Sequence, residues 1–185
     1  FLDVEGYNFW SEYLEAVDKM LSDDAEIIKN NTTLSEREIK DQLEQLADTK
    51  QGFQALMDPE KHNQLRESGE RRLSHRAMSA ALFIDLYRDY PALQLPYKML
   101  NLLVDIDEQF TTWRQRHALM VHRMIGRKIG TGGSSGHKYL RLAADKHRVF
   151  TDLFDLPTYL IPRSALPTLP PEIENRLSFS YEGDL

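Results

Sequence analysis

The sequence predicts an all-α fold in a single domain. Apolar residues recur at the three- and four-residue spacing of a helix face along most of the chain. No segment alternates apolar and polar residues over the length of a strand, and no internal repeat is visible. With 185 residues, of which 41% are hydrophobic, the chain is long and apolar enough to bury a core of its own.

The first two helices are predicted to form a hairpin. The first covers residues 7 to about 29, and its apolar residues share one face: Phe9, Tyr13, Val17, Met20 and Leu21. Ser35 and Glu38 form a capping box that opens a second helix, which runs to about residue 57. The first half of that helix, EREIKDQLEQL, is dense in charge. We therefore expect residues of about 7–57 to form a solvated helical hairpin that projects from the core.

The next two helices differ in character. Asp58 and Pro59 supply an N-cap and a first-turn proline for a short helix, which Gly69 ends. The following helix covers residues 74–90, and its MSAALFIDLY segment is apolar or small on most sides. Such a helix is expected to be buried between neighbours, and Pro91 ends it.

The longest predicted helix covers residues 96 to about 129. Its apolar positions form one stripe, in which a single histidine stands: Met99, Leu102, Leu103, Ile106, Phe110, Trp113, His117, Met120, Val121 and Met124.

A glycine-rich loop at 130–136 separates this helix from another one predicted over 137–150. The tail, DLPTYLIPRSALPTLPPEIENRL, contains five prolines, which predict short turns and extended packing. The chain is thus predicted to be one domain, residues 1–185. After the hairpin, the core helices and the glycine-rich loop occupy about 70–163, and the tail occupies 164–185.

Composition and charge exclude several classes of function. The formal net charge of -6 is spread in mixed sign, so the sequence predicts neither a nucleic-acid partner nor an anionic membrane surface. Without cysteine there is no disulfide, thiolate-bound zinc or iron–sulfur cluster. The sequence has no run of 18 apolar residues and no secretory leader, so a cytoplasmic location without a membrane span is expected. The opening FLDVEGYNFW is apolar and lacks methionine, which indicates a chain cut from a longer one.

His117 on the apolar stripe has two interpretations. A buried imidazole is commonly a core residue whose ring nitrogens bind a carbonyl or a carboxylate. Alternatively, it is a metal ligand. His122 lies five positions on, about 140° around the helix, and cannot face the same ion. A lone histidine favours a cofactor that brings its own four nitrogens, namely haem. The remaining wall of such a site is then supplied by Trp113, Met120, Val121 and Met124.

The other five histidines stand among charged or polar neighbours. They are predicted to be exposed or paired at the surface: His62, His75, His122, His137 and His147.

The GTGGSSG loop is not a known phosphate-binding motif. A Walker loop requires Gly-Lys-Ser/Thr where this chain has Gly136 and His137, and a dinucleotide loop requires a preceding strand. The loop is either an interhelical linker or a lid over a small zwitterion. Basic residues nearby can meet haem propionates or a substrate carboxylate, or can simply form a solvated face: Arg114, Arg116, Arg123, Arg127 and Lys128.

Three separated blocks agree in order and spacing with one known family. They read GERRLSHRA, WRQRHALMVHRMIGRKIGTGGSSGHKYLR and FDLPTYLIPR. From GYNFW to LIPR the chain closely resembles the C-terminal half of the animal-type tryptophan 2,3-dioxygenase family, most weakly in the charged hairpin. The resemblance implies a helical haem-dioxygenase domain, whose haem-side core helices and substrate loop lie within about 70–163.

The resemblance also implies a reaction and a set of site residues. A haem b enzyme of this family inserts both atoms of O2 across the indole C2–C3 bond of L-tryptophan. The product is N-formylkynurenine, and the reaction is the first step of tryptophan catabolism by the kynurenine route. His117 corresponds to the axial ligand of the haem iron and Trp113 to the proximal tryptophan. Thr131 corresponds to the residue that binds the amino-acid end of the substrate, beside Gly132 and Gly133.

The family's distal histidine, its carboxylate-binding arginine and the aromatic residues over the indole belong to an N-terminal half that this chain lacks. No catalytic residue is therefore expected here, and the chain alone is expected not to oxidise tryptophan. The implied partners are a companion N-terminal fragment and the other subunits of a homotetramer. Two alternatives stay open: a related haem enzyme for another indole or aromatic amino acid, and a non-enzymatic helical interaction module.

Overall fold

The all-α prediction is confirmed. The computed structural model describes residues 4–126, 140 and 148–179. Within this part of the chain there are α-helices, two short 3-10 helices and one isolated bridge between Val4 and Tyr7. The α-helices are α1 (Phe9–Lys29), α2 (Glu36–Met57), α3 (Pro59–Glu67), α4 (His75–Leu86), α5 (Pro91–Ile125), α6 (Thr151–Phe154) and α7 (Pro171–Ser178). Among the helices so described, none combines the length and apolar character needed to cross a lipid bilayer.

The first helices begin where their caps predict. The Ser35 side chain accepts the backbone N–H of Glu38, whose carboxylate in turn accepts the Ser35 N–H at 2.8 Å. The Asp58 carboxylate accepts two N–H groups at the start of α3, where Pro59 occupies the first turn. Each side chain satisfies backbone donors that have no partner within the helix.

The base of the α1–α2 hairpin belongs to the core, in contrast to the prediction of a solvated hairpin. Phe9, Tyr13 and Val17 of α1 are at most 1% exposed, and Phe53 and Leu56 of α2 are buried with them. Phe9 packs against α4, with the Phe9 and Phe83 rings edge to face at 5.0 Å, while the Tyr13 ring meets Phe53 of α2. The buried residues of the hairpin end at Leu21 on α1 and begin at Phe53 on α2, so its far end is solvated.

Tyr13 ties the hairpin base to the tail. Its hydroxyl donates a 2.6 Å hydrogen bond to the buried carbonyl of Tyr159. Burial raises the pKa of Tyr13 above its usual range, with a smaller contribution from Tyr159, so the phenol keeps its proton and remains the donor.

Tyr13→Phe is expected to lower the free energy of unfolding by about 1–3 kcal/mol, because it leaves the Tyr159 carbonyl buried without its donor. Urea denaturation measures the change. Tyr7→Phe is the matched control, since the Tyr7 hydroxyl makes only a 3.4 Å bond to the Thr168 carbonyl. Equal effects of the two substitutions would show that the Tyr13 bond contributes nothing specific.

The boundaries around Pro91 differ from the prediction. α4 ends at Leu86, four residues before the predicted end, and Pro91 begins α5 rather than only ending α4. A proline is tolerated in the first turn because its missing N–H has no partner there. Pro96, the predicted start, lies inside the helix. At the other end α5 stops at Ile125, where Gly126 adopts a φ of 61°, a conformation that favours glycine.

The tail contains a true helix where only turns were predicted. α7 begins at Pro171, and its Ile173 and Leu177 are fully buried against the core. Two consecutive prolines fit an N-cap and a first helical position, so the proline pattern was compatible with a helix start. Tyr90 of the α4–α5 turn donates to Glu174 at 2.9 Å, which fixes α7 beside α5.

The prediction of an exposed His62 is wrong. Its side chain is 1% exposed, and its Nε2 lies 2.9 Å from the carbonyl of Leu73. The His62 ring meets the ring of half-buried His75 edge to face at 5.4 Å. His62 is the residue of α3 that faces the start of α4, and it is buried for that reason. His122 is half-buried, while His137 and His147 lie outside the described residues.

Candidate functional site

The predicted apolar stripe of α5 is exposed over most of its length. The face that includes Leu93, Asp107, Thr111 and Ala118 is buried, and Leu103 packs against the core. The face with His117 is open, with Trp113 61% and Met124 75% exposed. We call its large apolar residues the exposed stripe: Leu95, Met99, Leu102, Ile106, Phe110, Trp113, Met120 and Met124.

His117 lies on the exposed stripe and not within the core. Its ring is half-buried and stacks on the indole of Trp113, one turn earlier, with centroids 5.5 Å apart and planes 14° from parallel. The stacking restricts the orientation of the imidazole and still leaves one side of α5 open around it.

Two grooves flank this pair of rings. One, of about 520 Å³, precedes His117 and includes Trp113 in its lining, with Leu102, Asp105, Ile106, Gln109 and Phe110. The other, of about 460 Å³, follows it and is lined by Arg116, Leu119, Met120, Arg123 and Met124. The second groove joins apolar side chains to two exposed guanidinium groups, a combination that suits a flat apolar molecule with carboxylates at its edge.

Asp107 anchors the chain beyond residue 147 to the buried side of α5. Its carboxylate is 2% exposed and accepts the N–H groups of Val149 and Phe150 at 3.1–3.2 Å. The Thr111 hydroxyl donates to the Asp107 carbonyl at 2.8 Å. Sequence reasoning missed Asp107, although an acidic residue in the apolar segment LLVDID was a usable signal.

Asp152, two residues before the block FDLPTYLIPR, is hydrogen-bonded to the block GERRLSHRA. It is 1% exposed and accepts the backbone N–H groups of Arg72 and Leu73 at 2.8 and 2.7 Å. The Arg71 guanidinium lies 4.0 Å from Asp152 and 3.6 Å from the exposed Asp155. The RRL segment, Arg71 to Leu73, and the start of α6 are thus held together.

The predicted site residues fall into two groups. His117, Trp113, Met120, Val121 and Met124 lie together on one side of α5, with Val121 half-buried at the edge of the exposed stripe. Thr131, Gly132 and Gly133 lie outside the described residues, as does most of the helix predicted over 137–150. The last residues of that segment, 148–150, are not helical.

The residues around His117 are of the kinds that could hold a haem. Within the described part of the chain, no three His, Cys, Asp or Glu side chains form a group that could hold a metal ion. A half-buried imidazole on an open apolar face, with two arginines nearby, offers one axial ligand, a wall for a macrocycle and partners for its carboxylates.

The chain is similar to tryptophan 2,3-dioxygenases over nearly its whole length. The family model described as Tryptophan 2,3-dioxygenase matches residues 1–160. Curated relatives with that name are 53% identical in Bdellovibrio bacteriovorus, 44% in Dictyostelium discoideum and 42% in Mus musculus. The matches cover 98%, 98% and 99% of this chain, and 50%, 46% and 45% of those proteins. The chain therefore spans about half the length of the curated relatives it matches.

Proposed function

The chain belongs to the tryptophan 2,3-dioxygenase family, and from this premise we propose that it forms the haem-binding part of an enzyme that cleaves L-tryptophan with O2. The product is N-formylkynurenine, in which both oxygen atoms have entered across the broken indole C2–C3 bond. The reaction is the first step of tryptophan catabolism by the kynurenine route.

The observation that carries this proposal is the position of His117. Its imidazole stands on the open face of α5, backed by the Trp113 ring and flanked by two grooves. One neutral nitrogen of that ring would ligate the iron of haem b. Met120, Val121 and Met124 would hold the macrocycle by apolar contact, and Arg116 and Arg123 would pair with its propionates. Bound haem supplies the iron at which dioxygen is activated.

The other residues of the proposed site lie in segments that the structure does not describe. Thr131 binds the amino-acid end of tryptophan, and the backbone of Gly132 and Gly133 lets that end approach closely. The companion N-terminal half supplies the distal residues and covers the exposed stripe, because an uncovered apolar face of this size is unfavourable in water.

Substrate choice is made largely in the companion half, so another indole or aromatic amino acid stays open as an alternative substrate. The names of the relatives give no support to a non-enzymatic helical module. The homotetramer and the cytoplasmic location stay predictions.

Thr131→Ala in the complete enzyme is expected to raise KM for tryptophan about tenfold, the loss expected for one hydrogen bond to a charged group. Haem content should not change. Steady-state formation of N-formylkynurenine and the Soret absorbance per chain measure the two effects. Ser134→Ala, in the same loop, is the control and should leave both unchanged. If Thr131→Ala instead lowers haem content, the threonine has a structural role and does not bind substrate.

A further inference from the structure

Two buried polar atoms face each other between the RRL segment and α6 without a direct hydrogen bond. They are the Nη1 of Arg71 and the Oδ1 of Asp152, which lie 4.0 Å apart. Neither atom has a hydrogen-bond partner among the described residues. A buried donor or acceptor without a partner is unfavourable and uncommon in folded proteins. The two atoms therefore indicate that a further group lies between them.

The other polar atoms of both side chains are already engaged. The Oδ2 of Asp152 accepts the backbone N–H groups of Arg72 and Leu73 at 2.8 and 2.7 Å. The Nη2 of Arg71 donates to the hydroxyl of Tyr159 at 2.9 Å, and the guanidinium lies 5.9 Å from the centre of the Tyr159 ring. A turn of either side chain to close the gap would break at least one of these hydrogen bonds.

The separation of the two atoms fits one small molecule that bonds both. Two hydrogen bonds of about 2.8–2.9 Å that meet at one oxygen at about 90–110° span about 4.0–4.6 Å. The distance from Nη1 to Oδ1 lies at the lower end of this range. Since the side chains of Arg71 and Asp152 are 15% and 1% exposed, a molecule between them is largely shielded from bulk solvent.

The charges on the two sides favour water over an ion. The guanidinium of Arg71 repels a cation at this point, and the carboxylate of Asp152 repels an anion. Water is neutral, accepts a hydrogen bond from Nη1 and donates one to Oδ1. A third partner is available, because the Oδ2 of the exposed Asp155 lies 3.6 Å from the same Nη1. About three hydrogen bonds is the usual number for a buried water.

We propose that one ordered water molecule binds between Arg71 and Asp152 and donates its second hydrogen to Asp155. The water completes a hydrogen-bonded network that begins at the Tyr13 hydroxyl on α1, passes through Tyr159 and Arg71, and ends at the backbone of the RRL segment. Buried polar groups thereby join the base of the hairpin to α6. The inference does not rest on the proposed function, since none of the residues assigned to haem or to tryptophan belongs to this network.

A crystal structure of the complete enzyme tests the proposal. We expect a water peak about 2.7–3.2 Å from both the Nη1 of Arg71 and the Oδ1 of Asp152, in every copy of the chain. Direct contact of these two atoms, with no peak between them, would overturn the proposal. A peak with oxygen contacts shorter than about 2.6 Å would also overturn it, because contacts of that length are made by a metal ion.

Two variants separate the contributions of the two carboxylates. In Asp155→Ala the water is expected to stay, because both of its buried partners remain. Loss of the peak in that variant would show that the exposed carboxylate holds it, contrary to the proposal.

Asp152→Asn distinguishes water from a cation. Its side-chain oxygen is expected to keep the two backbone N–H groups, so that its amide nitrogen faces the Nη1 of Arg71. Two donors cannot bond each other, but one water accepts from both and is expected to stay. A bound cation would be lost, so disappearance of the peak would contradict the assignment to water. Circular dichroism confirms that both variants are folded.

Discussion

His117→Ala is expected to remove most of the haem from the complete enzyme. The substitution deletes the imidazole that is proposed to ligate the iron and leaves the exposed apolar side chains of Met120 and Met124 in place. Residual apolar binding can retain some macrocycle, but without axial ligation we expect haem content to fall about tenfold or more. N-formylkynurenine formation should fall about a hundredfold or more, as expected when a metal ligand itself is lost. The Soret absorbance per chain and the product assay measure these effects.

His122→Ala is the control for this experiment. His122 is half-buried on the same helix, but it stands about 140° around the axis from His117. Its removal should leave haem content within about twofold of the wild type. A His117→Ala enzyme with full haem content and activity would show that the iron ligand lies elsewhere.

Asp152→Ala is expected to lower the free energy of unfolding by about 3–5 kcal/mol, the cost of breaking a buried charged pair. The carboxylate accepts two backbone N–H groups of the RRL segment at 2.8 and 2.7 Å and lies near Arg71. Without it, the two backbone N–H groups lose their acceptor, and the largely buried Arg71 guanidinium keeps only the exposed Asp155 as an acidic neighbour. Urea denaturation followed by circular dichroism measures the change.

Asp155→Ala is the control. It also removes an acidic neighbour of Arg71, but it leaves the hydrogen bonds of Asp152 intact. Asp155 lies 3.6 Å from the same guanidinium, but its side chain is 61% exposed. An exposed pair of this kind contributes less than about 1 kcal/mol. If the two substitutions destabilise the protein equally, the buried hydrogen bonds of Asp152 are not what holds the RRL segment to α6.

Local signals predicted much of the fold. The capping box at Ser35 and the Asp58–Pro59 pair gave the starts of α2 and α3, because each satisfies donors within a few residues. Pro96 and Pro171 were misjudged, since a proline marks a helix boundary in sequence but does not show on which side of it the helix lies. His62 was misjudged because its partner, the Leu73 carbonyl, is brought near only by the tertiary fold.

The candidate site was predictable where its residues share one helix. Trp113 and His117 are four residues apart, so helix geometry alone places their rings together. Asp107 and Asp152 act on backbone groups 42 and 80 residues away, and no periodicity reveals such pairs. The exposure of the stripe was also not predictable, because apolar spacing looks the same whether the chain's own core or another polypeptide covers it.

Ligation of haem iron by His117 is tested most directly with His117→Gly, which leaves room for a free imidazole where the side chain stood. The measurement is the absorption spectrum of the complete enzyme with haem, recorded before and after imidazole is added. We predict that imidazole restores the wild-type Soret band in His117→Gly and changes nothing in His122→Gly. A His117→Gly spectrum that already equals the wild type, or that imidazole leaves altered, would contradict the assignment.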